Sequence, residues 1–310
     1  MNTTPSSALH HSPTTRAAGK RALVLGGGGS TGNAWLIGVV AGLSEAGLDV
    51  TDADLIVGTS AGSTAAAQIT GAPPAELLTA ALAPVPRRPA GPAGPAGGRA
   101  TTARVADQLE RTRRIIEAAQ DAADLRRRMG AVALERAAAS DPSWQDQWRA
   151  TVAARLPSQQ WPHRRVLVTA VDADTGAPVV FDRESGVDLA DAVAASCASG
   201  SAYGIGDGRY IDGGYRRNEN ADLAAGYERV LVLAPFGGRS WTPPQWGLQL
   251  AAQVEELRAA GSRVESVVPD GSSEHLFGAN AMDLSLRPAA AHAGAGQGRG
   301  LAEQLTELWR

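Results

Sequence analysis

Gly58-Thr59-Ser60-Ala61-Gly62 is the segment whose residue types and spacing could do chemistry. It follows an apolar run, Leu55-Ile56-Val57, and precedes a small-residue helical stretch, Ser63 to Ile69, so Ser60 falls on a strand-to-helix turn. Glycines two residues either side of a serine let the chain take strained dihedrals and keep the seryl oxygen exposed above a helix N-terminus. That is how a nucleophilic serine is presented. In a chain with 36 glycines among 310 residues, a GxSxG match arises by chance roughly once in four such sequences and reads equally as a structural turn.

Two further segments supply what a seryl nucleophile needs. Arg21 to Leu25 reads as a buried strand, Gly26-Gly27-Gly28-Gly29-Ser30-Thr31-Gly32 follows, and Trp35, Ile37, Val39, Val40 and Leu43 continue with helical periodicity. Successive glycines let backbone N–H groups converge on one point next to the positive end of a helix dipole, which suits an anionic oxygen. An ester carbonyl under attack becomes such an oxygen, and each fixed donor lowers the barrier by about 3 to 4 kcal/mol. Farther on, Arg209 to Asp212 reads as a short strand ending in Asp212-Gly213-Gly214, where a carboxylate flanked by glycines can reach a neighbouring serine.

The order GGGGxxG, GTSAG, DGG resembles that of the patatin-like phospholipases, from about Arg21 to at least Ala234. Ala194-Ala195-Ser196-Cys197-Ala198 is similar to the family segment between nucleophile and aspartate, and Asn218 to Ala225 resembles the helix start that follows. The resemblance implies a Ser-Asp dyad, with Ser60 as nucleophile, Asp212 as general base, and Gly27, Gly28 and Gly29 as the oxyanion hole. Two departures stand out. Thr31 occupies a position where the family usually carries Lys or Arg. Ser199-Gly200-Ser201-Ala202-Tyr203 replaces a stretch that in the family tends to hold proline and phenylalanine and bears on the acyl pocket. An aspartate at its ordinary pKa of about 3.9 is a poor base at neutral pH, so the Asp212 site is expected to be desolvated and its pKa raised.

Other readings compete for the same residues. Gly27 to Gly32 is also a formal GxGxxG between strand and helix, with Asp49, Asp52 and Asp54 near the distance of a ribose-binding acid, but dinucleotide binding leaves GTSAG and DGG unexplained. Asn33 stands where a P-loop needs lysine. The order Ser60, Asp212, His275 would satisfy a hydrolase triad, although Asp270 to His275 reads as a polar turn with a solvated histidine. No motif calls for a cofactor or a metal.

Alternation of apolar runs with helical stretches predicts one α/β domain over residues 19–310, a mixed and mostly parallel central sheet flanked by helices in the three-layer manner that the resemblance implies. The expected strands are Arg21 to Leu25, Asp54 to Val57, Arg165 to Val171, Pro178 to Phe181, Arg209 to Asp212, Arg229 to Ala234 and Arg263 to Val268. Residues 1–18 are Ser/Thr/Ala-rich and read as a disordered leader, and the Ala289 to Arg310 tail begins rich in Ala and Gly and ends as a docked helix. A helical cap insertion is expected over about 84–160. Pro84 to Gly98 opens it, Thr101 to about Gly130 continues as a helix dense in arginine, and Ser143 to Leu156 carries Trp144 and Trp148 one turn apart. This cap reads as a packed cover with a solvated face, or more sharply as a lid whose Arg113, Arg114, Arg126, Arg127 and Arg128 meet anionic headgroups, giving peripheral membrane contact.

A net charge of −3 excludes the basic field of a general nucleic-acid binder. The single Cys197 cannot form an intrachain disulfide and reads as packed; no apolar run reaches a membrane span and the N-terminus lacks a signal-peptide core, so a cytoplasmic location is expected. The expected partner is a lipid or other acyl-ester substrate, and the expected activity is acyl-ester hydrolysis through an acyl-enzyme. A weakly turning acyl-lipid-binding protein and an acyltransferase on the same fold stay open at this point.

Overall fold

The structure is a computed structural model that describes residues 17–84 and 110–310. Most of the expected leader and the stretch 85–109 of the expected cap lie outside the described residues. The sheet comprises β1 (Ala17–Leu25), β2 (Leu55–Gly58), β3 (Arg165–Asp172), β4 (Pro178–Phe181), β5 (Tyr203–Ile205), β6 (Gly208–Asp212), β7 (Tyr227–Leu233) and β8 (Arg263–Val267). Their order is β5-β6-β3-β2-β1-β7-β8, with β4 also paired to β3. β3, β2, β1, β7 and β8 run parallel, whereas β4, β5 and β6 are antiparallel to their neighbours.

Each expected strand is present: β1, β2, β3 and β7 contain buried apolar runs, whereas β4, β6 and β8 bury only part of their residues. β5 is additional: three residues are too few to show an alternation. β1 also begins earlier than expected, at Ala17, with a register break before Arg21 and Gly19 at φ 79°.

Alternate residues of the central strands feed different layers. Leu23, Leu25, Ile56 and Val168 join the core under α1 (Gly29–Glu45), α2 (Ala61–Ile69), α3 (Pro74–Leu82), α6 (Leu189–Ser196) and α8 (Arg287–Trp309), counting α4 and α5 as the cap helices described below. Ala22, Val24, Val57 and Val232 join the core under α7 (Leu250–Ala259). The result is a mostly parallel sheet flanked by helices, as the apolar pattern predicts, in the three-layer arrangement that the resemblance implies. α1 is buried on all sides because α8 crosses it closely: a Cβ at Gly38 or Gly42 would collide with the carbonyl of Ala291 or Ala295, and one at Gly294 or Gly298 with the carbonyl of Trp35 or Val39. Packing thus overrides the poor helix propensity of the glycines in the tail, and helix runs unbroken from Arg287.

In the cap, the single helix expected over Thr101 to Gly130 is instead interrupted. Residues 110–118 are helical, and α4 (Ala122–Ala138) starts anew at Asp121, whose side chain accepts from the Asp124 N–H at 2.7 Å while Asp124 accepts from Gln120 N–H at 3.1 Å. These two capping bonds mark the start of the new helix. Gly130 lies inside α4, not at its end, and lets the helix touch the Ala173 backbone. α5 (Trp144–Ala153) follows, and Trp148 Nε1–H donates to the Ala194 carbonyl at 3.1 Å.

Candidate active site

Two strands deliver the reactive side chains to one place. β2 pairs Gly58 with Val168, and β6 pairs Asp212 with Ala170 two residues farther along the same strand. Beyond Gly58 the chain must reverse into α2 within a few residues, and it does so at Ser60, with φ 53° and ψ −115°. A side-chain-bearing residue rarely adopts such a conformation, and the cost is about 1 to 3 kcal/mol. The flanking glycines make the turn sterically feasible: a Cβ at Gly62 would strike the Leu25 carbonyl, and one at Gly58 would lie 2.6 Å from Ser63 Cα. Ser60 is half-buried.

Asp212 is 7 % exposed. Burial pushes its pKa up from 3.8 to about 6, opposed by the Gly214 N–H, which donates to Oδ1 at 2.8 Å, and by the Ser60 hydroxyl. The Ser60 contact favours the charged carboxylate. Gly213 must be glycine because a Cβ would collide with Thr169.

The glycine loop behaves less uniformly than its sequence suggests. Gly27 N–H donates to the Asn218 carbonyl at 3.0 Å, so its amide is spent inside the protein and is not free for an oxyanion. Gly27 serves instead as close packing: its Cβ would lie 2.7 Å from Asn218 Oδ1 and 3.6 Å from Ser60 Cβ. No hydrogen bond among the described residues engages the Gly28 and Gly29 amides, which open the first turn of α1. Gly29 has φ 63°, with Ala281 O 2.8 Å from where a Cβ would be, and Gly28 lies against Pro235. Of the three expected donors, two are available.

The two segments read by resemblance, Ala194 to Ala198 and Asn218 to Ala225, supply bonds that the sequence does not display. Ser60 N–H donates to Ser196 Oγ at 2.9 Å, Asp212 N–H donates to the Ala198 carbonyl at 3.0 Å, and Cys197 Sγ lies 3.2 Å from the Ser60 carbonyl. The segment after α6 therefore holds both halves of the pair. Burial pushes the Cys197 thiol up to about 11, which makes it an inert packing residue, as expected. Asn220, fully buried at φ 55°, donates to Thr59 Oγ1, Thr169 Oγ1 and the Gly213 and Arg217 carbonyls, tying the elbow to the aspartate loop. The helix start expected over Asn218 to Ala225 is a single 3-10 turn, Ala221–Ala224.

The rival readings lose their geometry. Asp49, Asp52 and Asp54 precede β2, at the end of the sheet away from the glycine loop, where Asp52 pairs with Arg21 and Asp54 accepts from Arg21 N–H. His275 is exposed, its Nδ1 hydrogen-bonded to the Ser272 carbonyl, and among the described residues no histidine bonds Ser60 or Asp212. Tyr203, in the segment read as bearing on the acyl pocket, is buried and donates to Asp191. The cap arginines are largely engaged: Arg113, Arg114, Arg127 and Arg128 pair with acids on their own helices and Arg126 donates to the Gly176 carbonyl. Trp144 and Trp148 pack on the core. No helix among the described residues is long and apolar enough to cross a membrane.

A mostly parallel sheet that ends in a seryl elbow, a buried aspartate and a glycine-loop helix start defines the class: a three-layer α/β protein with its polar cluster at one end of the sheet. The patatin-like phospholipase family model matches residues 23–225, and the chain belongs to that family. No curated protein matches the sequence. Among solved structures, the chain is similar to VipD from Legionella pneumophila, at 14 % identity over 89 % of this chain and 68 % of that one, with a TM-score of 0.38.

Proposed function

We propose that this protein is a serine acyl hydrolase that cleaves carboxylic esters of lipids by a Ser60-Asp212 dyad. The observation that carries the reading is the pairing itself: a strained, half-buried serine at the start of a helix against a buried carboxylate whose pKa is raised to about 6, beside two unengaged amides. A carboxylate so tuned is largely ionised at neutral pH yet much more basic than an ordinary aspartate.

In the proposed reaction, Asp212 accepts the hydroxyl proton as Ser60 Oγ attacks the ester carbonyl, and the Gly28 and Gly29 N–H groups receive the oxyanion. The C–O bond to the leaving alcohol breaks, and the proton on Asp212 passes to that alcohol. Water then gives a proton to Asp212 and attacks the acyl-serine, releasing the carboxylic acid and restoring Ser60. The catalytic unit is residues 19–310 with the cap over about 84–160. A cytoplasmic site of action is supported by the lone, packed Cys197. Cap contact with a lipid surface draws little support from arginines that already have partners, and stronger co-sedimentation with anionic than with neutral vesicles would restore it.

Labelling with a fluorophosphonate tests the reading. One adduct on Ser60 by peptide mass spectrometry, absent from Ser60→Ala, is expected. A folded protein that takes no label would leave a lipid-binding role in its place, and label together with acyl transfer to added glycerol in preference to water would make it an acyltransferase.

A further inference from the structure

Outside the family-matched residues, the first residue of α8 brings a positive charge to the glycine loop. Arg287 Nη1 donates to the Ser30 carbonyl at 2.9 Å and Ser30 Oγ at 3.2 Å, and Nη1 and Nη2 both lie 3.3 Å from Asn33 Oδ1. Asn33 Nδ2 donates in turn to the Ala61 carbonyl at 3.4 Å and to Gln68 Oε1 at 2.9 Å, and Gln68 Nε2 donates to the Arg155 carbonyl at 3.1 Å. This chain of bonds links α8, the first turn of α1, the residue after Ser60 and the end of the cap. Each acceptor of the guanidinium is neutral.

Half-buried and next to the positive end of α1, Arg287 has no ion-pair partner among the described residues. The charged group that acts on it is another cation, Arg155, and burial together with that repulsion holds its pKa below the usual range. A half-buried guanidinium beside the positive end of a helix, with neutral acceptors only, leaves its positive charge uncompensated and so attracts an anion. Ser30 directly follows Gly29, so such an anion would lie within about one helical turn of the oxyanion amides. The planar fork of arginine suits an oxyacid.

Resting on the ester-hydrolase reading, we propose that Arg287 is a specificity-determining residue that receives an anionic phosphoryl oxygen of the substrate, with Arg155 adding long-range attraction. Arg287 then selects esters whose alcohol part carries a phosphodiester over neutral esters of the same acyl chain.

The test compares kcat/KM for dihexanoyl phosphatidylglycerol and dihexanoyl glycerol, both as monomers, in wild type, Arg287→Met and Arg287→Lys. Wild type is expected to prefer the phosphodiester, Arg287→Met to lose that preference by about tenfold or more, chiefly in KM, and Arg287→Lys to recover part of it. Equal loss on both substrates in a folded Arg287→Met would overturn the proposal and leave the arginine as a tie between α1 and α8. If Arg287→Met does not fold, Arg155→Met at its exposed position takes its place, with a severalfold loss of preference expected and no change counting against. Inorganic phosphate that raises the Tm of wild type, without any preference between the two lipids, would assign the site to free phosphate and overturn substrate recognition. Wild type that cleaves neither ester would bring down the hydrolase reading itself, a result distinct from activity without preference.

Discussion

Asp212 is costly to the fold in the same way that it is useful to the proposed chemistry. Its folded pKa of about 6 lies above the 3.8 of an ordinary aspartate, so on raising the pH the unfolded chain loses this proton first. Between those values folding becomes progressively less favourable, and above them the penalty is complete at about 3 kcal/mol. Asp212→Asn is therefore expected to raise the Tm at pH 7.5 and to change it little at pH 3.5; a gain of equal size at both would show that the carboxylate is not held at an elevated pKa. The same titration should appear in rate: kcat/KM is expected to rise with pH through a midpoint near 6, because Asp212 must be ionised to accept the Ser60 proton. A flat profile from about pH 5 to 9 would contradict that role. Ser60 and Asp212 were readable because each sits in a short local motif with its own glycines. The segments that hold Ser196, Asn218 and Asn220 were legible by resemblance, but the bonds those residues make were not, since only the folded chain brings them to the site; Arg287 lies in a segment with no signature at all.

At the scale of elements, the strand-to-helix turn after β2 depends on a backbone that approaches Leu25 too closely for any side chain at Gly62. Gly62→Ala is expected to lower stability by several kcal/mol, on the order of an overpacked core, and to abolish activity through misplacement of Ser60. Near-wild-type stability and turnover in that variant would mean that the turn relaxes freely and that the elbow is not the rigid device described. The cap shows the limits of periodicity. Ile116, Ala119, Ala123 and Leu125 keep a helical spacing across the true break, so the apolar pattern alone reads one helix where the capping bonds that Asp121 and Asp124 accept start a second. β5 is missed for a different reason, because its pairing with β6 rests on backbone hydrogen bonds over three residues.

Across the whole molecule, the strands themselves follow from runs that the sequence displays openly, while their order in the sheet and the closeness of α1 to α8 do not. Glycine at 38, 42, 294 and 298 reads locally as weak helix, yet it is what allows the two backbones to touch. Gly38→Val is expected to lower the Tm by several degrees or more by forcing the helices apart. It should also reduce turnover, since α1 begins at Gly29 and α8 at Arg287. Unchanged thermal stability would show that this crossing is loosely packed. Hydrolysis of p-nitrophenyl esters by wild type, Ser60→Ala, Asp212→Asn and His275→Ala tests the central claim most directly. Loss of activity in the Ser60 and Asp212 variants and its retention in the His275 variant is the result predicted by a dyad. Activity that survives in folded Asp212→Asn, or that disappears in folded His275→Ala, would contradict it.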